Sequence, residues 1–139
     1  MNLLIDANII LDVLQQREPH YKYSSIIWKL CETKKFEGYV SVLTFMNMTY
    51  ILRKNLTPQK IEKLYKSLSL IFNFTDLTRK DVDGAVELGL NDFEDAAQIK
   101  TAERIGADYI ITRNIKDFND SNIPSYTPED FVKLKILIY

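Results

Sequence analysis

Four aspartates stand where the chain changes character. Asp6 directly follows the apolar run "NLLI", Asp92 and Asp95 lie in "NDFEDAAQIK", and Asp117 lies in "TRNIKDF", a few residues beyond "ADYII". Asn114 in that last stretch and Asn47 in "FMNMTY" add side-chain amides. Each has a local reading beside a chemical one. Asp6 also suits the cap of the helix that follows it. Asp92, three residues before Asp95, has capping-box spacing and reads better as a cap. Asn114 and Asp117 also suit turn residues that bond their own backbone. Taken together the acids say more, because three or four carboxylates gathered in one crevice repel each other and raise their own pKa values unless a cation neutralises them. With no Cys or His among them, the ion they select is a hard, oxygen-liking one, Mg²⁺ or Mn²⁺.

Such convergence needs a scaffold, and the apolar pattern supplies one. "NLLI" has strand length, stops at "DAN", and gives way to the helical spacing of "ILDVLQQR". "SSIIWKLCETKKFEG" predicts a helix with Ile26, Ile27, Leu30 and Cys31 on one face, and Gly38 suits a left-handed stop after it. "YVSVL" reads as the second strand. Thr44 suits the cap of the following helix, which places Asn47 in its first turn, and Thr57 with Pro58 starts another helix. "IFNFTDL" is a short third strand, and Thr78 to Leu88 forms a helix closed by Gly89. The helix in "NDFEDAAQIKTAERIG" turns Ala96, Ile99, Ala102 and Ile105 inward and ends at Gly106. "ADYIIT", apolar on both faces, reads as an interior parallel strand. "YTPEDFVKL" adds a weak strand and a last helix, with Pro128 at its first position. Strands separated by helices imply right-handed crossovers and an α/β fold: an open, mostly parallel sheet of about five strands with helices on both faces. Ligands bind such sheets at the carboxyl ends of the strands, where strand order reverses.

Composition narrows the function classes. The 139 residues, 46% of them hydrophobic, read as one domain spanning 1–139. A formal charge of −1 gives no chain-wide field to recruit nucleic acid or a membrane, so an anionic substrate must be gripped locally. The single cysteine, Cys31, reads as a buried small hydrophobe, and Asp6 interrupts the N-terminal apolar run too early for a signal peptide. A cytoplasmic location is the simplest expectation. The only histidine, His20, sits in the polar "REPHYKY" and reads as a solvated loop residue, leaving a Ser-His-Asp mechanism without support. Tyr21, Tyr23 and Trp28 read as core-completing, and Arg53, Lys54, Arg113 and Lys116 as a solvated charged face.

The stretches "LLIDANIILD", "SVLTFMNMTYILRK" and "NDFEDAAQIKTAERIGADYIITRNIKDF" closely resemble the PIN domain, in the branch containing VapC-like toxins, from about Met1 to about Asp130. Most specific is the combination of D-x-N after a first strand, F-E-D-A opening a helix, and T-R-N-x-x-D-F after the next strand. The resemblance implies a three-layer α/β/α fold and a metal-dependent endoribonuclease with Mg²⁺ or Mn²⁺ as cofactor. It places Asp6, Asp95 and Asp117 on the family's catalytic and metal-holding positions, with Asp92 as a neighbour. Thr112 and Asn114 fall on the polar positions of the loop after the fourth strand. The family's glutamate after the second strand falls on Asn47, which is neutral and cannot act as a base. As partners the resemblance implies single-stranded or structured RNA, a cognate antitoxin and a second copy of the chain, the apolar end Ile136 to Tyr139 either completing the sheet or forming a sticky strip. Two other readings are carried forward. One is a catalytically weak relative that binds RNA or a partner, with Asn47 as the cause. The other is a phospho-accepting receiver module, which is disfavoured because Asp6 supplies only one of the two early acids and no later lysine of the right kind is evident.

Overall fold

The computed structural model describes residues 1–136; Leu137, Ile138 and Tyr139 of the apolar tail lie outside the described residues. In chain order the strands are β1 (Asn2–Ile5), β2 (Glu37–Ser41), β3 (Asn73–Thr75), β4 (Tyr109–Ile111) and β5 (Ser125–Tyr126). The α-helices are α1 (Ala7–Leu14), α2 (Tyr21–Glu32), α3 (Val42–Ile51), α4 (Pro58–Ile71), α5 (Arg79–Leu88), α6 (Phe93–Arg104) and α7 (Pro128–Phe131). The strands form one sheet in the order β3-β2-β1-β4-β5, with every neighbouring pair parallel. The chain therefore winds outward from β1 to β2 and β3, then crosses back to β4 on the other side. Strand order reverses between β1 and β4, and the backbone bond from Asp6 N to Ile111 O, 3.0 Å, ties their carboxyl ends together.

The sheet is covered on both faces, and the strand sequences show why. Side chains alternate across a strand, so an interior strand with helices on each side must be apolar at every position. Leu3, Ile5 and Ile111 pack with Ile9 and Ile10 of α1, Ile27 of α2, Met48 of α3, Leu68 of α4 and Phe131 of α7. Leu4 and Ile110 point the other way, onto Ile99 and Ala102 of α6 and onto Phe118. Beyond them Ala85 of α5 meets Ala96 and Ala97, small residues that let α5 and α6 approach closely. Cys31 is fully buried in the first of these cores, and burial pushes its thiol up to about 12. Among the described residues no helix is long and apolar enough to cross a membrane.

Several helix boundaries follow the expected signals. Thr57 caps α4 with Pro58 in its first turn. Thr78 and Asp81 close a full capping box on α5. Gly89 and Gly106 take the left-handed conformation after α5 and α6, at φ of 64° and 67°. Two expectations are corrected. Gly38 is not a helix stop; it lies inside β2, and a Cβ there would sit 2.6 Å from Cys31 Sγ and 2.9 Å from a Phe72 ring carbon. The left-handed residue after α2 is Lys34, at φ 62°. Nor does Thr44 cap α3. Ser41 does, accepting from Leu43 N at 3.1 Å, because β2 stops two residues sooner than the apolar "YVSVL" suggests. That moves Asn47 from the first turn of α3 into the second, and Thr44 is buried with no partner for its hydroxyl.

Candidate active site

The ends of β1 and β4 release two polar residues into the switch point. Asp6 follows β1 and Thr112 follows β4. The backbone at Asp6 is extended, at ψ 155°, and its carboxylate accepts from Ala7 N at 2.8 Å, so it does cap α1. Capping uses one contact of several. Gln98 Nε2 donates to Oδ1 at 3.2 Å, Thr112 Oγ1 to Oδ2 at 2.8 Å, and Asn8 Nδ2 reaches Oδ2 at 3.5 Å. Donors from α1, α6 and the loop after β4 thus fix one carboxylate that is only 8% exposed. Thr112 also accepts from Asn114 N at 3.0 Å, which shapes the turn toward the short 3₁₀ segment Ile115–Phe118 bearing Asp117.

The second group of acids comes from the start of α6. Asp92 caps it, accepting from Asp95 N at 3.1 Å, as its spacing predicts. Three residues on, Asp95 is nearly buried. Asp6, Asp92, Glu94, Asp95, Asn114 and Asp117 together line a cleft of about 270 Å³, with Asn8 and Arg17 on its α1 side. The consequence is electrostatic. Burial, then the charges of Asp92, Asp6 and Asp117, push the Asp95 carboxyl up to about 8. Burial also raises Asp6, against the hydrogen bonds from Thr112 and Ala7. Glu94 is raised by burial, with Asp6 and Asp92 adding to it, while the Asn47 amide draws it down.

Five of the seven residues singled out in the sequence, Asp6, Asp92, Asp95, Asn114 and Asp117, line the cleft. Thr112 is fully buried beneath it as a support of Asp6. Asn47 is set back from the cleft; its buried Nδ2 has no hydrogen-bond partner among the described residues, though the amide is near enough to Glu94 to draw that carboxyl down. His20 faces a neighbouring cavity instead. Arg113 is not part of a solvated face, because its guanidinium pairs with the fully buried Asp12 at 3.0 Å. Four residues were missed. Asn8 lay in the quoted D-x-N, Arg17 at the end of the quoted "ILDVLQQR", Glu94 in the quoted F-E-D-A, and Gln98 carried the clearest signal: a polar side chain, 1% exposed, on the apolar stripe of α6.

A profile of the family described as the PIN domain matches residues 2–116. The chain is 26% identical over 134 residues to ribonuclease VapC1 of Aquifex aeolicus, covering 93% of this chain and 92% of that one. A toxin-antitoxin complex from Klebsiella pneumoniae superposes with a TM-score of 0.68 at 24% identity, over 91% of this chain and 97% of that one. VapBC2 from Rickettsia felis, bound to a DNA fragment from its promoter, superposes with a TM-score of 0.69 at 14% identity, over 91% and 98%. The shared architecture puts the carboxyl ends of β1 and β4 at the centre of the sheet, where the acids meet. The match over most of its length, together with this parallel sheet, makes the chain a member of the PIN domain family.

Proposed function

We propose that the protein is a Mg²⁺- or Mn²⁺-dependent endoribonuclease acting as the toxin of a toxin–antitoxin pair, with Asp6, Asp95 and Asp117 as its catalytic acids. The observation that carries this reading is the cleft itself: carboxylates from three separate chain segments line one depression, and among the described residues none of them is paired with a Lys or Arg. The resemblance to a protein named a ribonuclease supports the same chemistry.

The donor set fits a hard divalent cation in charge and in atom type, since every candidate ligand is an oxygen. Among the described residues, however, no three Asp, Glu, His or Cys side chains stand in an arrangement that would already hold an ion. Asp6 is held by its hydrogen bonds and Asp92 by its cap, so Asp95 and Asp117 are the side chains that must turn inward. When bound, the ion supplies Lewis-acid activation of water and countercharge at the phosphodiester. The chain's own residues do the rest. Thr112 and Gln98 keep Asp6 aimed, which limits the reorganisation required on binding. Asp95, whose carboxyl burial and the neighbouring acids push up to about 8, would hold such an ion together with Asp6 and Asp117. Arg17, on the cleft wall, is the cation available to a backbone phosphate. Glu94 answers the missing glutamate at position 47: the carboxylate enters from α6, near enough to Asn47 for the amide to draw it down.

The substrate in this reading is single-stranded RNA, because a near-neutral surface offers little grip on duplex phosphates. An antitoxin partner is supported by the complexes that the fold resembles. Self-association is supported by Met46, Tyr50 and Ile51 of α3, each more than half exposed. Light scattering that gives the monomer mass at all accessible concentrations would remove the homodimer, and a cytoplasmic location belongs to the same proposal.

The test is cleavage of a single-stranded RNA by purified protein with Mg²⁺ or Mn²⁺, against EDTA and against Asp117→Asn. Metal-dependent cutting lost in the variant is the expected result. Asn47 favours one alternative, a weak relative that binds RNA without cutting it efficiently. That reading prevails if the wild type is inert and Asn47→Glu cuts.

A further inference from the structure

Beside the acidic cleft lies a larger cavity of about 460 Å³, within the range of small-ligand sites. We propose that it is a nucleobase subsite, which takes the base next to the scissile phosphate of a single-stranded RNA; the proposal rests on the ribonuclease reading above.

Position is the first argument. Consecutive residues of the loop after β4 divide between the two depressions, Arg113 lining the cavity and Asn114 the cleft. The turn from α1 to α2 does the same, with Arg17 on the cleft and Pro19 and His20 on the cavity. Arg113 lies near enough for its charge to offset a little of the burial that raises the Asp6 carboxyl. Because the two depressions share this loop and this turn, a strand with a phosphate at the acids would bring its neighbouring base to the cavity mouth.

Chemistry is the second argument. Arg113 looks like a phosphate ligand, but its charge is committed: Nε lies 3.0 Å from Asp12 Oδ2 and an Nη donates to Oδ1 at 3.1 Å. Ser24 completes the network, donating to Asp12 Oδ2 at 3.0 Å. The floor is thus polar and neutral overall. The walls are flat or apolar, from Pro19, Pro128, His20 and the Tyr23 ring, over which Lys22 and Lys133 also stand at 5.3 and 5.8 Å from the ring centre. Planar walls over a neutral floor suit an uncharged planar ring, which stacks on aromatic side chains whatever its sequence. At the rim stands the Glu129 carboxylate; its Oε1 accepts from Lys133 Nζ at 2.7 Å, which leaves Oε2 as the acceptor toward the cavity. It favours a base with an exocyclic amino group, adenine, cytosine or guanine, over uracil.

The experiment titrates ¹⁵N-labelled protein with AMP, CMP, GMP and UMP, and with ribose 5-phosphate and inorganic phosphate as controls. Expected are amide shifts in residues 20–24, Thr127 and Glu129 with the amino-bearing nucleotides, at least about threefold weaker binding of UMP, and none of these shifts with either control. His20→Trp, which fills the cavity from its mouth, should remove the shifts. In RNA it should flatten the base preference next to the cut about fivefold while cleavage continues. Glu129→Gln should erase the discrimination against uracil alone. Equal shifts with ribose 5-phosphate would make the cavity an anion site and overturn the proposal, as would a cutting pattern unchanged by His20→Trp. Absence of cleavage with base-dependent shifts intact would defeat the nuclease reading but leave the base site standing, so the two failures are distinct.

Discussion

Asp12 and Asp81 are 0% and 2% exposed, and each lies against an arginine. Asp12 is paired with Arg113 and receives Ser24; Asp81 is paired with Arg104 at 3.1 Å, and Thr101 adds a longer contact. Asp6 and Asp95 are 8% and 9% exposed, hardly less buried, yet among the described residues neither forms an ion pair. The difference separates architecture from chemistry. A buried carboxylate with its own cation joins elements, α1 to the loop after β4 in one case and α5 to α6 in the other. A buried carboxylate held only by neutral donors and facing other acids is stable as a charge only when a cation comes from outside. Removing an acid should therefore have opposite effects on stability in the two sets.

Breaking an architectural pair should produce the largest effect. Arg113→Met leaves Asp12 buried without its cation, and the expected loss is about 3 kcal/mol, the lower end for such pairs because Arg113 is partly exposed. Urea denaturation measures it. A loss below about 1 kcal/mol would mean that Ser24 and trapped water suffice, and the distinction between the two sets would weaken.

Next in size are the effects on catalysis. Asp6→Asn and Asp117→Asn should each reduce RNA cleavage at least about a hundredfold, the scale of losing a few kcal/mol of charge stabilisation, with the circular dichroism spectrum unchanged. Cleavage within tenfold of wild type in either variant would remove that residue from the catalytic set.

How far the sequence showed this division depends on the residue. The parallel sheet was legible because strands covered on both sides must be apolar throughout, as "NLLI" and "ADYII" are. The gathering of the acids was legible because Asp6 and Asp117 leave strands whose carboxyl ends meet at the switch point, although Asp6 is also the cap of α1. Pairing was not. Nothing in "ILDVLQQR" distinguishes Asp12 from a surface acid of an amphipathic helix, and its partner lies 101 residues away. Arg113 was accordingly misplaced on a solvated face. Glu94 stayed hidden for a related reason: an acid in a first helical turn is ordinary, and only the approach of α3 shows that Asn47 stands beside it. The early end of β2 was obscured by Val42 and Leu43, whose apolar side chains suit a strand or a buried helix equally well.

A moderate effect is expected from pH. Asp95, Asp6 and Glu94 are all raised, so the folded, ion-free protein holds protons that the unfolded chain would release from about pH 4 upward. The stability this contributes is complete below that pH and is lost as pH rises through about 8. The melting temperature without divalent metal should therefore fall between pH 5 and 8.5. Asp95→Asn should remove much of the slope and raise the melting temperature at pH 8. Saturating Mg²⁺ or Mn²⁺ should restore stability at high pH, where the acids are charged. A melting temperature that rises across this interval without metal would contradict the assigned burial of the acids.

Asp92 gives the smallest and most discriminating effect, because it belongs partly to each set. As a cap it satisfies the backbone amide of Asp95, and as a charge it raises the carboxyl of the same residue. Asparagine caps as well as aspartate does, so Asp92→Asn keeps the first role and deletes the second, whereas Asp92→Ala deletes both. If the cap is its main contribution, Asp92→Asn should change ion-free stability at neutral pH by only a few tenths of a kcal/mol, upward, by relieving Asp95 of a neighbouring charge. Asp92→Ala should lose about 1 kcal/mol. Cleavage should survive Asp92→Asn within severalfold, far from the loss expected at Asp6 or Asp117. A hundredfold loss of cleavage in Asp92→Asn would instead move Asp92 into the catalytic set and make the cap incidental.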